Sequence, residues 1–231
     1  MKPIEKENYM TFKLLETKQL HDIQSEGRIY EHEETGAKVL RLANDDPNKA
    51  FTIAFKTPPY SDNGIAHILE HSVLNGSKKY PSKEPFVELI KGSLNTFVNA
   101  MTFSDKTIYP VASTNQQDFE NLMGVYLDAV FQPNFRENPQ ILEQEGWHYH
   151  LESAEEDLIY KGVVYNEMKG ANASPDRQLS MFMRRNLYPN TPYAFDSGGY
   201  SLEITSLTQD EFIAFHERYY HPSNSLTILY G

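Results

Sequence analysis

The sequence contains no cysteine, so disulfides and thiolate metal ligands are both excluded. Any metal ion must therefore be held by histidine and carboxylate side chains. Residues 1–20 lack an apolar core of signal-peptide length and include acidic residues, which transit peptides avoid. No stretch of the chain approaches the roughly 20 apolar residues that are needed to span a bilayer. These absences predict a cytoplasmic protein with no membrane partner.

Basic residues are outnumbered, with 21 Lys plus Arg against 32 Asp plus Glu and a net charge of −11. A protein that binds nucleic-acid phosphates normally presents a basic face, so nucleic acid is not expected as a partner. The acidic surface is compatible with basic substrates, although most acidic surfaces only confer solubility. The 39% of hydrophobic residues and the length of 231 residues are typical of an ordinary folded protein with a substantial core.

The most informative motif is His67-Ile68-Leu69-Glu70-His71. Residues four apart on a helix share one face, so both imidazoles can reach a single ion. Glu70 lies at the edge of that face, where its carboxylate can take a proton from a metal-bound water. The order H-x-x-E-H is the signature of the inverzincin group of zinc peptidases. The alternative, a helix with two solvated histidines, is disfavoured because residues 65–74 are largely apolar and buried polar side chains need partners.

A catalytic zinc takes three protein ligands and keeps one position for water, so a third ligand is needed. Sequence spacing does not choose it among the candidates in helical or strand segments, which are Glu120, Glu143, Glu145, His148, His150 and Glu167. Glu167 stands out because the helix start at 162–170 is apolar, and a buried carboxylate there needs a cation or hydrogen-bond donors. The alternative is a solvated glutamate, or one paired with Lys169 or Arg177.

Hydrophobic periodicity predicts an α+β fold in which helices interrupt antiparallel hairpins. We expect strands at 28–32, 38–42, 50–56, 94–102, 107–113, 147–152 and 225–230. We expect helices at 65–74, 84–91, 119–131, 140–145, 163–171, 175–187 and 209–219. Asp62 or Asn63 is the predicted N-cap of the helix that carries the motif.

Several segments together resemble one family of enzymes. They are HILEHSVLNGSKKYP, GSLNTFVNAMTFSDKTIYPV, EQEGWHYH, YKGVVYNEMKGA, DSGG and FHERYYHPSNS. In this order they are similar to the presequence protease branch of the pitrilysin, or insulinase-like, metallopeptidases. The resemblance extends from about residue 28 to residue 231, and the separation of His71 from Glu167 is also similar to this branch.

The resemblance implies a mainly antiparallel sheet with helices packed on one side, the LuxS-like metallopeptidase fold. It implies one Zn²⁺ per chain, bound by His67, His71 and Glu167, with Glu70 as the general base. It also implies that Asn99 and Ala100, on an edge strand at 94–102, contact the backbone of an extended peptide. A plain amphipathic hairpin explains the alternation of that strand equally well.

Members of this branch are much longer, with several similar domains that close as two halves around a chamber. We therefore expect residues 1–231 to form a single N-terminal catalytic domain of a zinc endopeptidase that hydrolyses unstructured peptides. Its partner would be the C-terminal half, and the domain alone would be weak or inactive. The alternatives are a non-catalytic subunit of the same fold and a different metallohydrolase built on this helix motif. Non-catalytic relatives usually lose the H-x-x-E-H residues, all of which are present here.

Overall fold

The structure is a computed structural model that describes residues 12–82 and 91–231. The strands of the described residues are β1 (Phe12–Leu20), β2 (Ser25–His32), β3 (Lys38–Ala43), β4 (Lys49–Lys56), β5 (Asn95–Val98), β6 (Met101–Thr102), β7 (Lys106–Ser113), β8 (His148–His150), β9 (Ile159–Lys161) and β10 (Ser225–Tyr230). The α-helices are α1 (Ile65–Val73), α2 (Gln116–Phe131), α3 (Gln140–Glu145), α4 (Val163–Ala171), α5 (Pro175–Leu187), α6 (Ser201–Ile204) and α7 (Gln209–Tyr219). Short 3₁₀ turns occupy His21–Ile23, Asn134–Arg136, Pro192–Ala194 and Pro222–Asn224.

The main sheet has the strand order β1-β2-β3-β10-β4-β7-β5, and β6 also pairs with β7. Every pair in it is antiparallel except β3 with β10, which is parallel. A separate hairpin is formed by β8 and β9. The predicted α+β class with a mainly antiparallel sheet is therefore confirmed.

The core lies between one face of the sheet and the helices. Alternate residues of β4 and β7 face this side, because side chains along a strand point to opposite faces. The buried strand side chains include Phe51, Ile53, Phe55, Tyr109 and Val111. They belong to one cluster with the buried residues of α1, which also touches α3, α7 and β6. Burying a large apolar side chain stabilises the fold by about 1.5–3 kcal/mol, so this packing fixes the orientation of α1.

Local sequence signals explain where several helices begin. Thr208 and Glu211 form a reciprocal capping box at α7, as predicted. Ser174 caps α5, with Pro175 in its first turn. The predicted N-cap of α1 is wrong, since Gly64 takes that position in a left-handed conformation with φ of 70°. Asn63 instead accepts a hydrogen bond from Ile65 N through its side chain, while Asp62 binds a loop elsewhere in the fold.

Three other differences from the predicted elements concern strands. The predicted strand at 94–102 is divided into β5 and β6, with Asn99 and Ala100 between them. The strand predicted at 147–152 is shortened to β8. The strands β1 and β9 were not predicted.

The helix predicted at 84–91 lies, apart from its last residue, outside the described residues. Within the described ranges, no helix combines the length and apolar character that crossing a membrane requires.

Candidate metal centre

Helix α1 places the two motif histidines side by side. The ring centroids of His67 and His71 are 4.9 Å apart, as expected for positions one turn apart. The other side chains of α1 are mostly buried in the core, whereas both histidines are partly exposed and line a cleft of about 670 Å³. The apolar packing of α1 therefore turns this one polar edge of the helix toward the cleft.

Helix α4 brings Glu167 to the same place. One ligand atom from each of His67, His71 and Glu167 lies within 4.8 Å of the other two. His67 Nε2 and Glu167 Oε2 are 3.8 Å apart. The three residues predicted as ligands thus form one cluster. Among the described residues, it is the group of side chains whose ligand atoms lie close enough together to hold a metal ion.

The start of α4 is held against the end of α3. Gly162 has φ of 156°, and a Cβ added there would overlap the Gly146 carbonyl. Only glycine permits this close approach of two backbone segments. The expectation that Glu167 is buried is wrong, since 54% of its side chain is exposed. The buried residues of α4 are Val164, Tyr165 and Met168, so its apolar face turns inward and Glu167 faces the cleft.

Each histidine has a second partner for its other ring nitrogen. Gly198 O lies 3.0 Å from His67 Nδ1, and Glu145 Oε2 lies 3.3 Å from His71 Nδ1. Both oxygens are acceptors, so each Nδ1 carries the proton and each Nε2 keeps its lone pair for a metal. Burial alone lowers the pKa of His71, but the hydrogen bond to Glu145 and the charges of Glu70, Glu145 and Glu167 together raise that pKa.

Glu70 is buried beside the histidines and is held by one hydroxyl. Its Oε2 accepts a hydrogen bond of 2.6 Å from Thr102 Oγ1, on β6. Burial is the main cause of the raised pKa of both Tyr126 and Tyr109, and the negative charge of Glu70 adds to it. The two phenols are therefore neutral, and the Tyr126 hydroxyl donates to Asn99 O over 3.2 Å.

Asn99 and Ala100 line the same cleft at the break between β5 and β6. The strand β5 is at the edge of the sheet order, so the predicted edge position is confirmed. Ala100 N donates to Asn99 Oδ1 over 2.9 Å. The two residues thus lie beside the metal cluster, between two short strands whose outer side has no neighbouring strand among the described residues.

The other candidate ligands have different partners. Glu145 contacts His71 as described, and Glu120 accepts a hydrogen bond from Gln116. The ring of His148 bonds to Glu143 O, and that of His150 bonds to Glu152. The contacts of Glu145, Gly198 and Thr102 were not predicted. All three residues lie in segments that contributed to the resemblance, Thr102 in GSLNTFVNAMTFSDKTIYPV, Glu145 in EQEGWHYH and Gly198 in DSGG, but no sequence pattern indicated their contacts.

The family model described as "Insulinase (Peptidase family M16)" matches residues 58–177, more than half of the chain. The chain belongs to the insulinase family. The match includes all three residues of the metal cluster and Glu70. Membership in this family of peptidases confirms the resemblance from which the ligand set was inferred.

Relatives within the insulinase family are similar over nearly the whole chain. Protein HypA of Clostridium perfringens is 57% identical over 228 residues, which is 98% of this chain and 23% of that protein. Presequence protease 1, chloroplastic/mitochondrial, of Arabidopsis thaliana is 52% identical over 92% of this chain and 20% of its own length. The mitochondrial presequence protease of Mus musculus is 46% identical over 87% of this chain. The chain spans about a fifth of the length of these relatives, between 19% and 23%.

The fold of this insulinase-family chain is also seen in a solved structure. The crystal structure of pitrilysin superposes with a TM-score of 0.72 over 96% of this chain and 23% of that chain, at 18% sequence identity. The predicted pitrilysin-like fold is therefore confirmed.

Proposed function

We propose that this chain is the catalytic domain of a zinc-dependent endopeptidase that hydrolyses unstructured peptides. The observation that carries the proposal is the convergence of His67, His71 and Glu167 within 4.8 Å, with Glu70 beside them. Membership in a peptidase family supports it. Its action in the cytoplasm stays a prediction from the sequence.

The donor set fits zinc. Two imidazoles and one carboxylate form a common catalytic zinc site, and the two histidines already have the outer partners that such ligands usually have. When bound there, one zinc ion per chain would act as a Lewis acid that lowers the pKa of a water and polarises the scissile carbonyl. His67, His71 and Glu167 would hold it.

Glu70 is the proposed general base. Its carboxylate is next to both histidines on α1 but has its own partner, Thr102, which fixes one of its two oxygens. An ionised carboxylate in this position can accept a proton from the attacking water and then deliver it to the leaving amine. The contact with Thr102 also links the base directly to β6.

The substrate is proposed to bind in extended form. An edge strand offers unpaired backbone groups, and a peptide can add to it as a further strand. The break at Asn99 and Ala100 lies in the cleft with the metal cluster, which would align the peptide beside the base. Only an unfolded segment can add as a strand, and this accounts for the proposed substrate class.

Substitutions of the two glutamates test these roles. Glu70→Gln should leave zinc bound and lower peptide cleavage by about 10²–10⁴-fold, the usual contribution of a general base. Glu167→Gln should weaken zinc binding by more than the roughly 10–100-fold that an outer partner contributes. Metal content and the zinc dissociation constant would be measured by mass spectrometry and competition titration.

The matched control is Glu143→Gln, which changes a glutamate outside the metal cluster and should alter neither property. If Glu70→Gln loses zinc as completely as His67→Ala, Glu70 is a ligand and the assigned roles are wrong. If the wild type binds zinc but cleaves no peptide even within a full-length polypeptide, the non-catalytic alternative is correct.

A further inference from the structure

We infer that Asp196 is a positioning residue for the metal ligand His67, acting through the carbonyl of Gly198. This inference rests on the proposed function, because it assigns His67 Nε2 to the metal. Asp196 does not belong to the metal cluster, and neither the H-x-x-E-H motif nor the third-ligand argument requires it.

The carboxylate of Asp196 organises the loop that contains Gly198. Asp196 is buried, with 5% of the residue exposed. Its Oδ1 accepts a hydrogen bond of 3.0 Å from Gly198 N, which closes a tight turn. Its Oδ2 accepts one of 2.8 Å from Arg177 Nη2, and Arg184 Nη2 lies 3.8 Å from the same oxygen. Two cations therefore hold this buried charge, as a buried carboxylate requires.

A second buried aspartate ties the loop to the segment that precedes α1. Asp62 Oδ1 accepts from Asp196 N over 2.5 Å, and Asp62 O accepts from Tyr200 N over 2.7 Å. Asp62 Oδ2 is bound in turn by Arg185 over 2.6 Å. Both ends of the loop are thus fixed to Asp62, only five residues before His67 along the chain.

The loop also packs closely against the backbone at the start of α1. A Cβ at Gly199 would lie 2.8 Å from Gly64 Cα, and one at Gly64 would lie 3.1 Å from Gly198 O. These glycines let the loop rest directly on the first turn of α1. The Gly198 carbonyl is therefore packed closely against the residue that precedes α1, in the turn that Asp196 closes.

The consequence for His67 is a fixed tautomer. A carbonyl oxygen only accepts, so the 3.0 Å contact places the proton of the neutral ring on Nδ1. The Nε2 lone pair then points to the side where Glu167 lies, 3.8 Å away. If the turn opened, the ring could rotate or carry its proton on Nε2, where the proton would block the metal.

Asp196→Asn is the test variant, because it keeps the size of the side chain and one acceptor oxygen but removes the charge that binds Arg177. Asp128→Asn is the matched control. Asp128 is also buried, at 9% exposure, and accepts from Ser77 Oγ over 2.6 Å and from Lys79 N over 2.8 Å. Both variants should lose stability, whereas only Asp196→Asn should affect His67.

The first measurement is the tautomer of His67 in the metal-free protein, by ¹⁵N NMR of the imidazole ring. We expect the Nδ1–H form in the wild type and in Asp128→Asn, and a substantial Nε2–H fraction in Asp196→Asn. The second is the zinc dissociation constant, which should rise about 10–100-fold in Asp196→Asn alone. If Asp196→Asn fails to fold, Arg177→Gln, at a partly exposed position, should change both properties in the same direction.

A folded Asp196→Asn protein with the wild-type tautomer and zinc affinity would overturn the inference. A wild type that binds no zinc would instead refute the proposed function. The tautomer comparison on the metal-free proteins would still decide the role of Asp196, so the two failures are distinguishable.

Discussion

His216 shows at the scale of a single residue how the core controls protonation. The residue is 1% exposed, its Nε2 donates to Val130 O over 2.8 Å, and its Nδ1 accepts from Arg136 Nη2 over 2.9 Å. Burial is the main reason that the pKa of His216 is lowered to about 4, the Val130 contact opposes the shift, and the charge of Arg136 adds to it. The folded protein therefore holds this imidazole neutral.

This shift predicts a pH dependence of stability. The unfolded chain binds a proton at His216 near pH 6.5, whereas the folded chain does so only near pH 4. The contribution of the neutral His216 to the free energy of unfolding is complete above pH 6.5. This contribution falls by about 3 kcal/mol as the pH drops from 6.5 to 4. When the free energy of unfolding is measured with denaturant across this pH range, it should decline less for His216→Gln than for the wild type. His21→Gln, at an exposed position, is the control, and equal declines for wild type and His216→Gln would contradict the prediction.

The ligand residues could be predicted from sequence, but their supporting contacts could not. The spacing of His67 and His71 reports one helical turn, which is a local property. The partners of the two rings are 131 and 74 residues away along the chain, at Gly198 and Glu145. Such contacts depend on how helices and loops pack, and no periodicity encodes them. The burial expected of Glu167 was wrong for a different reason, because its apolar neighbours in sequence lie on another face of α4.

At the scale of elements, the edge strand is divided at a point that lines the same cleft as the metal cluster. The β5–β7 pairing shifts register between Asn95 and Phe97, and β6 resumes pairing at Met101 with Ile108. Between them, Asn99 N donates to Pro110 O, and Tyr126 on α2 donates to Asn99 O. The break is therefore held from both the sheet and the helix, which keeps it in a defined position beside Glu70.

Removing the Asn99 side chain should weaken peptide binding without affecting the metal. Asn99→Ala removes the side-chain amide and, with it, the acceptor that holds Ala100 N at 2.9 Å, while the backbone contacts of residue 99 with Pro110 and Tyr126 remain. We expect the KM for an unstructured peptide to rise several-fold, with unchanged zinc affinity. Thr96→Ala, on the same edge strand but bonded to Asn48, is the matched control. A loss of zinc, or an equal effect of Thr96→Ala, would show that this part of the strand does not bind substrate.

Elements with strong local sequence signals were predicted well, whereas elements with weak sequence signals were not. The bounds predicted for α5 and α7 agree with the structure, since Ser174 and Thr208 cap these two helices. The strand β1 has all but its last residue exposed, so no alternation marks it. The strand β9 has only 3 residues, too few for a period to be recognised. Both exist because of their antiparallel partners, β2 and β8.

At the scale of the whole molecule, one helix has an apolar face with no neighbour among the described residues. On α5, Arg177 and Arg184 face the cleft, while an opposite stripe is exposed and apolar, comprising Leu179, Phe182, Met183 and Leu187. Exposed apolar surface of this kind is typical of an interaction site. Since the relatives are about five times as long as this chain, we propose that the remainder of such a polypeptide, its C-terminal half, covers the stripe.

The zinc-loaded chain alone should accordingly be a weak peptidase that tends to self-associate. Substrate positioning and oxyanion stabilisation can each contribute several kcal/mol, and the proposed half would supply part of both. Adding the remainder of a full-length relative such as Protein HypA should raise turnover of an unstructured peptide by roughly 10²-fold or more. The same mixture made with the Glu70→Gln chain is the control and should stay inactive. Comparable turnover with and without the added polypeptide would show that this domain is a complete enzyme.

The position of β10 has a consequence for the order of events during synthesis. This strand lies between β3 and β4, so it joins the β1–β3 portion of the sheet to the portion that carries the metal helix. It is also the last strand of the sheet to leave the ribosome, about 170 residues after β4. Until then, β3 and β4 each have one unpaired edge. Such long-range pairing is slow to form and leaves strand edges open to wrong partners, so we expect the nascent chain to be prone to mispairing until β10 has been made.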